Sequence, residues 1–317
     1  MTDYTYRDAE RARAARWKQT AAGLPDAARL PAAYVRDGKE IGAARDFCLP
    51  PDYAAHNLLP EVREDALLLF AELGIPSHAG VDGGPGNHLL SSQVQCVNAL
   101  QRMVTAPGAI TAAFGGALDI DNVTEVEPGR FLTFEFIGPT DYFGEARGGA
   151  RVRGTHCTSV DAAFIYSTSR GVAELALVEW KYTEEYDRAR PAEPAQDAVR
   201  LGRYGPDFEH GPLRADLVAF EDMLDEPLYQ LMRQQLLAAR LEADPLVPAE
   251  MVRVVHVHPP ANVAYQQSLK PAHRAHGDSV DEVWAQLLRQ PDRYVRLDPE
   301  VFLDAAVTSP SYAARYR

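Results

Sequence analysis

The chain has 317 residues, 46% of them hydrophobic, with 32 Lys and Arg against 45 Asp and Glu, a formal net charge of −13. That length suits one large domain or two small ones, and the acidic balance excludes nucleic-acid binding through bulk charge alone, because the phosphate backbone draws basic proteins. No apolar run reaches the length of a membrane span, the N-terminus lacks the apolar stretch of a secretory signal, and Cys48, Cys96 and Cys157 are too few and too scattered for a CxxC knuckle or a disulfide framework. A reducing cytoplasm is the expected compartment.

In chain order, ERARAARWKQTAAGL reads as a surface helix within an Ala- and Arg-rich N-terminal helical extension, residues 1–55. Asn57 as N-cap and Pro60 in the first turn then open a second helix. Its apolar face is Leu59, Val62, Ala66, Leu69, Phe70 and Leu73, and Gly74 stops it. HAGVDGGPGNH is a loop, and a further helix runs from Ser91 or Ser92 to about Met103. The period then changes: GRFLTFEFIG, TSVDAAFIYS, VAELALVEWKY and MVRVVHVHP all read as strands. Pro-rich RARPAEPAQD precedes a long helix, ADLVAFEDMLDEPLYQLMRQQLLAARLEA, which Pro227 breaks or kinks. Helices, strands, a helix and another strand describe a mixed α/β or α+β core over residues 56–260, with a C-terminal appendage over 261–317.

One strand poses a chemical question. In LALVEWKYTE, Val178, Trp180 and Tyr182 share one face, while Leu177, Glu179 and Lys181 share the other. Charge in an otherwise apolar strand needs a partner. If TSRG joins SVDAAFIYS and VAELALVEWKY in a hairpin centred near Arg170, Asp161 falls opposite or nearly opposite Glu179, so one patch holds Asp161, Glu179 and Lys181. Two facing carboxylates repel, and a divalent cation between them makes the arrangement favourable. The adjacent lysine can orient or deprotonate a water, or stabilise charge developing on a phosphoryl oxygen. The bland alternative is a salt bridge within the sheet, with Asp161 facing solvent.

An Asp on one strand and Glu-x-Lys on the next resembles the PD-(D/E)XK nuclease superfamily. More narrowly, HLLSSQVQCVN, TSVDAAFIY and LALVEWKYTE are similar to a group of bacterial restriction-endonuclease-like proteins. The residue before Asp161 is Val160 where the superfamily pattern has Pro, a departure without chemical consequence. The resemblance implies an α/β restriction-endonuclease-like core, a mixed central β-sheet flanked by helices, after the N-terminal extension. It implies Mg²⁺-dependent hydrolysis of phosphodiester bonds, with Mn²⁺ able to substitute. Asp161 and Glu179 would hold the metal, Lys181 would position or activate water, and Gln93, from a helix preceding the sheet, would complete the site. DNA is the expected substrate, with RNA left open. A homodimer and a role in bacterial defence or DNA processing are compatible with it.

Other residues support or compete with this reading. EARGGARVRGTH carries Arg147, Arg151 and Arg153 on a glycine-rich loop suited to gripping phosphates, and Arg233 on the later helix is a further phosphate contact. The strongest rival is VVHVHPP, where His256 and His258 share a face at a spacing that suits Zn²⁺, Fe²⁺ or Mn²⁺, with further ligands from His273, His276 or an acid. A catalytically inactive DNA-binding or assembly module is the other alternative.

Overall fold

The computed structural model describes residues 5–146, 148–186, 190–191 and 193–317. Helix α1 spans Tyr6–Thr20 and opens with a capping box: the Thr5 hydroxyl accepts from the Asp8 N–H, and the Asp8 carboxylate reaches back to the Thr5 N–H. An antiparallel pair follows, β1 (Ala32–Arg36) and β2 (Lys39–Arg45). The turn between them is Asp37-Gly38, with φ of 51° and 70°, the left-handed pair that a two-residue hairpin requires. The extension expected to be helical is therefore a helix plus a hairpin.

Helix α2 (Pro60–Leu73) has Pro60 in its first turn and ends at Gly74, whose φ of 63° only glycine adopts freely. Its N-cap is Leu59 rather than Asn57. Asn57 is buried and its carboxamide donates to the carbonyls of Gly86 and His88, at 2.6 and 3.0 Å, so its hydrogen bonds serve a tertiary contact instead of the helix end. Helix α3 (Ser92–Leu100) is capped by Ser91, whose Oγ accepts from Val94 N at 3.3 Å. Helix α4 covers Pro107–Phe114.

The central sheet contains β3 (Asn122–Thr124), β4 (Thr133–Phe136), β5 (Val160–Ser167), β6 (Ala173–Trp180), β7 (Met251–Val257) and β8 (Tyr294–Leu297). Its order is β3-β5-β6-β7-β8, with β4 also paired to β5. β5 and β6 form an antiparallel hairpin, whereas β6–β7 and β7–β8 are parallel, so the sheet is mixed. The crossover from β6 to β7 carries α5 (Pro194–His210) and α6 (Leu228–Glu242). The sequence conceals α5, because Gly202, Gly205 and Pro206 within it disguise a helix. α6 starts after Pro227, so the proline separates it from the preceding 3₁₀ turn, Phe220–Leu224. Short helices α7 (Val263–Gln266) and α8 (Pro271–Arg274) precede α9 (Val280–Leu287), and α10 (Pro310–Tyr316) follows β8.

Strand alternation divides the core into two layers. Ala162, Phe164, Tyr166, Ala176, Val178 and Trp180 pack with α2, α3, α4 and α10. Ala163, Ile165, Leu175 and Leu177 face α5, α6 and α9. Trp180 is 1% exposed and its indole N–H donates to Gln95 Oε1 at 2.9 Å; truncating it would cost about 3–5 kcal/mol. That anchor fixes the backbone between Glu179 and Lys181. The first layer also takes in Ala14, Leu24, Ala28, Tyr312 and Tyr316, so both terminal segments share the core of the sheet. Arg315, fully buried, joins them: it donates to the Asn57 carbonyl at 2.5 Å and lies 4.4 Å from the Trp17 ring. Among the described residues no helix is long and apolar enough to cross a membrane.

Candidate active site

Strand register alone assembles a row of polar side chains across the sheet. Phe134↔Ala162 and Phe136↔Val160 flank the Glu135–Asp161 pair of β4 and β5. Ala162↔Val178 sets Asp161 opposite Glu179 of β6. Glu179 pairs with His256 of β7, and His256 with Arg296 of β8. Opposed residues in a sheet share a face, so Glu135, Asp161 and Glu179 stand side by side on three neighbouring strands.

Each carboxylate is held individually. Asp161 Oδ2 accepts from the Trp180 N–H at 2.7 Å. Glu135 accepts from Gln93 Nε2 and from Ser159 Oγ, both at 3.0 Å. Glu179 takes the Lys181 ammonium on Oε1 at 2.5 Å and the Gln234 carboxamide on Oε2. Lys181 also donates to Gln230 Oε1 at 2.5 Å, so the polar face of α6 closes over the end of β6. Glu135 has a φ of 46°, in the left-handed region that costs a non-glycine residue about 1–3 kcal/mol in a strand and that clusters at functional sites. Gly154 makes room for it, since a Cβ there would sit 3.0 Å from the Glu135 carboxyl carbon.

Burial first, then Glu179 and Glu135, push the Asp161 carboxyl well above the usual carboxylate range. Burial raises Glu135 too, against the hydrogen bonds of Gln93 and Ser159. Burial alone would lower Lys181, but Glu179, with Tyr186 and Glu184 behind it, outweighs that and holds its ammonium well above the ordinary lysine range. The Glu179 carboxylate thus favours the charged form of Lys181. The row opens into a cleft of about 530 Å³, lined also by Arg7, Arg45 and His88.

Asp161, Glu179, Lys181 and Gln93 thus converge, and the salt-bridge alternative describes only the Lys181–Glu179 contact. The three arginines do not reach the cleft. Arg151 donates to the carbonyls of Ile137, Gly138, Pro139 and Thr140, at 2.8 to 3.1 Å, and ties down its own loop. Arg153 is engaged by Glu127, by Thr133 Oγ1 at 2.8 Å and by the Phe134 carbonyl at 3.1 Å. Arg233 bonds Thr158 Oγ1 at 3.1 Å and Glu145 at 3.3 Å, with its guanidinium over the Tyr229 ring. These guanidinium groups are engaged by internal acids, hydroxyls and carbonyls and do not line the cleft, so the structure does not bring them to the site as expected phosphate contacts. Arg147 lies outside the described residues. Sequence reasoning missed Glu135, Ser159, Arg7 and Arg45; an acid inside apolar FLTFEFIG was the available signal for the first.

The rival histidines do gather an acid, and it is Asp281: ligand atoms of His256, His258 and Asp281 all lie within 4.8 Å of one another. His273 and His276 instead bond the carbonyls of Asp222 and Leu217. Every ring nitrogen of the pair already has a partner. His256 meets Tyr294 OH at 2.6 Å and Tyr265 OH at 3.0 Å; His258 meets Asp281 at 3.1 Å and Gln266 at 3.2 Å. Tyr294 OH in turn donates to Asp281 at 2.7 Å. Burial and the neighbouring His258 hold His256 well below the usual imidazole range, so it is neutral. A closed hydrogen-bond network of this kind satisfies buried polar groups and needs no ion.

A family described as restriction endonuclease associating with ARP matches residues 11–317, nearly the whole chain. None of the curated proteins or solved structures compared matches it. The mixed sheet flanked by helices and the restriction-endonuclease-like core expected from the sequence are in agreement with that family.

Proposed function

The chain belongs to the family of restriction endonucleases associating with ARP, and from that premise we propose that its cleft hydrolyses phosphodiester bonds of DNA with the help of a divalent cation. The observation that carries the reading is the alignment of Glu135, Asp161 and Glu179 at one level of three adjacent strands, with the Lys181 ammonium beyond them. The donors are all hard oxygens, which suits Mg²⁺, with Mn²⁺ as a substitute. The raised Asp161 and Glu135 carboxyls fit such an occupant, because burial first and then the neighbouring carboxylates disfavour their charged forms, and a cation offsets both. When bound, the ion would polarise a phosphoryl oxygen and lower the pKa of an attacking water.

The chain's own groups have separable roles. Lys181, favoured as an ammonium by Glu179, orients the attacking water or stabilises negative charge gathering on the phosphate. Glu179 and Gln230 fix its position from two sides. Gln93 and Ser159 aim the Glu135 carboxylate. Cutting both strands of a duplex calls for two such clefts, supplied by a second copy of the chain, and the ARP of the family description stands as a further partner in this reading.

The test is incubation of purified protein with plasmid, single-stranded DNA and RNA in Mg²⁺, Mn²⁺ or EDTA, beside Asp161→Asn. Cleavage that needs the metal and disappears in the variant supports the reading. Equal behaviour of the two proteins in every condition would refute it.

A further inference from the structure

The cleft that holds the carboxylates is also lined by groups of opposite sign. Arg7 of α1, Arg45 of β2 and the first turn of α3, Ser91–Gln93, all line it. A helix N-terminus carries partial positive charge, so the three contributions add. Arg7, Arg45 and Arg11 all act on His88: after burial, their charges bring its imidazole down to about 4, so it stays neutral and its Nδ1 accepts from the Leu90 N–H at 3.2 Å.

Aromatic packing helps hold the arginines there. The guanidinium groups of Arg11 and Arg45 lie 5.6 and 5.9 Å from the Phe47 ring, which itself meets His88 edge-on. Arg11 is paired with Asp8 at 2.8 Å. Arg7 makes a long ion pair with Glu185, 3.6 Å, and among the described residues its buried Nε has no hydrogen-bond partner. Among the described residues no carboxylate lies within 4.0 Å of the Arg45 guanidinium. Two guanidinium groups lining one cleft, one with a single long ion pair and the other with no carboxylate within 4.0 Å among the described residues, are suited to take up an anion, and guanidinium forks fit phosphate oxygens in pairs.

We infer that Arg7 and Arg45 form a clamp for a backbone phosphate of the nucleic-acid strand, next to the one that is cut. The inference rests on the cleft being the nuclease site proposed above. It also explains what the N-terminal helix and hairpin contribute, since they bring positive charge over the acidic sheet edge of an acidic protein. A strand crossing the cleft then meets the cation-binding carboxylates at one phosphate and the arginines at its neighbour.

The test is fluorescence anisotropy of a labelled DNA oligonucleotide over a salt series in EDTA, where affinity is read without cleavage. Arg7→Ala and Arg45→Ala should each weaken binding of every sequence tried and reduce the slope of log affinity against log salt by about 0.7–0.9, the double variant by about twice that. Arg45→Lys should retain the slope. Arg151→Ala, whose guanidinium is bound to loop carbonyls, should leave the slope unchanged. Melting curves establish that each variant is folded, and Arg7→Gln or Arg45→Gln replaces any alanine variant that is not. Slopes equal to wild type in both folded arginine variants would overturn the clamp while leaving Mg²⁺-dependent cleavage standing. Reduced slopes in a protein that cuts nothing would uphold the clamp and sink the hydrolytic reading.

Discussion

Replacing Lys181 by Met separates the ion pair from the chemistry. The Lys181 and Glu179 side chains are 8% and 1% exposed, and their charged atoms are 2.5 Å apart. Removing one partner leaves a buried carboxylate answered only by Gln234, a loss of about 3–5 kcal/mol. Unfolding entropy of roughly 2 cal/mol/K per residue converts this, for 317 residues, to a drop in Tm of about 5–8 °C in EDTA. The double variant Glu179→Gln with Lys181→Met removes both charges and should regain most of that loss, which a double-mutant cycle by calorimetry measures. Mg²⁺ should rescue the single variant, because a cation among the carboxylates does electrostatically what the ammonium did; at a hundred times Kd it adds about 2.7 kcal/mol. Cleavage should stay slower by on the order of a hundred-fold or more even when the fold is rescued. A single variant that melts with the wild type in EDTA would refute the ion-pair argument, and Mg²⁺ that stabilises neither protein would remove the cation from the site.

Glu135→Gln should abolish most cleavage, as Asp161→Asn does, yet melt at or above the wild-type temperature in EDTA, since it deletes a buried, repelled charge; paired melting and single-turnover assays decide. His258→Ala orphans part of the Asp281 network and should cost about 1–3 kcal/mol while cleavage below the melting point stays within a few-fold. Complete loss of cleavage, with stoichiometric metal in the wild type alone, would move the reaction to the histidines. His88 titrates near 4 in the folded chain against about 6.5 unfolded, so its contribution is present above 6.5 and lost as pH falls toward 4. His88→Gln should flatten the fall in Tm over that interval, and an unaltered Tm–pH curve would contradict the burial, with the arginine charges behind it, that keeps the imidazole neutral.

The part of the site legible in the sequence is the part built by one hairpin. Alternation in SVDAAFIYS and VAELALVEWKY and the short TSRG turn fix Asp161 against Glu179, because the pairing is local and a slip of one residue would bury the wrong face. Glu135 posed the same puzzle as Glu179, an acid in an apolar strand, but its level relative to β5 depends on a long connection that no local rule sets. Asp37-Gly38 is a strong hairpin signal that the Ala- and Arg-rich surroundings obscured. The arginines show why charge alone misleads. Arg151 sits in the expected loop, but its partners are main-chain carbonyls, which a sequence does not display; Arg45 looks ordinary and reaches the cleft only through the packing of α1 and the hairpin.

The row from Glu135 to Arg296 has a consequence for kinetics. Its members sense one another: Asp161 responds to Glu179 and Glu135, and His256 to Lys181 and Arg296. Protons therefore leave the Asp161 and Glu135 carboxyls in macroscopic steps that belong to the pair. The acid limb of a pH–rate profile would report the collective ionisation of Asp161 and Glu135, and neutralising Glu135 would move the apparent pKa measured at Asp161.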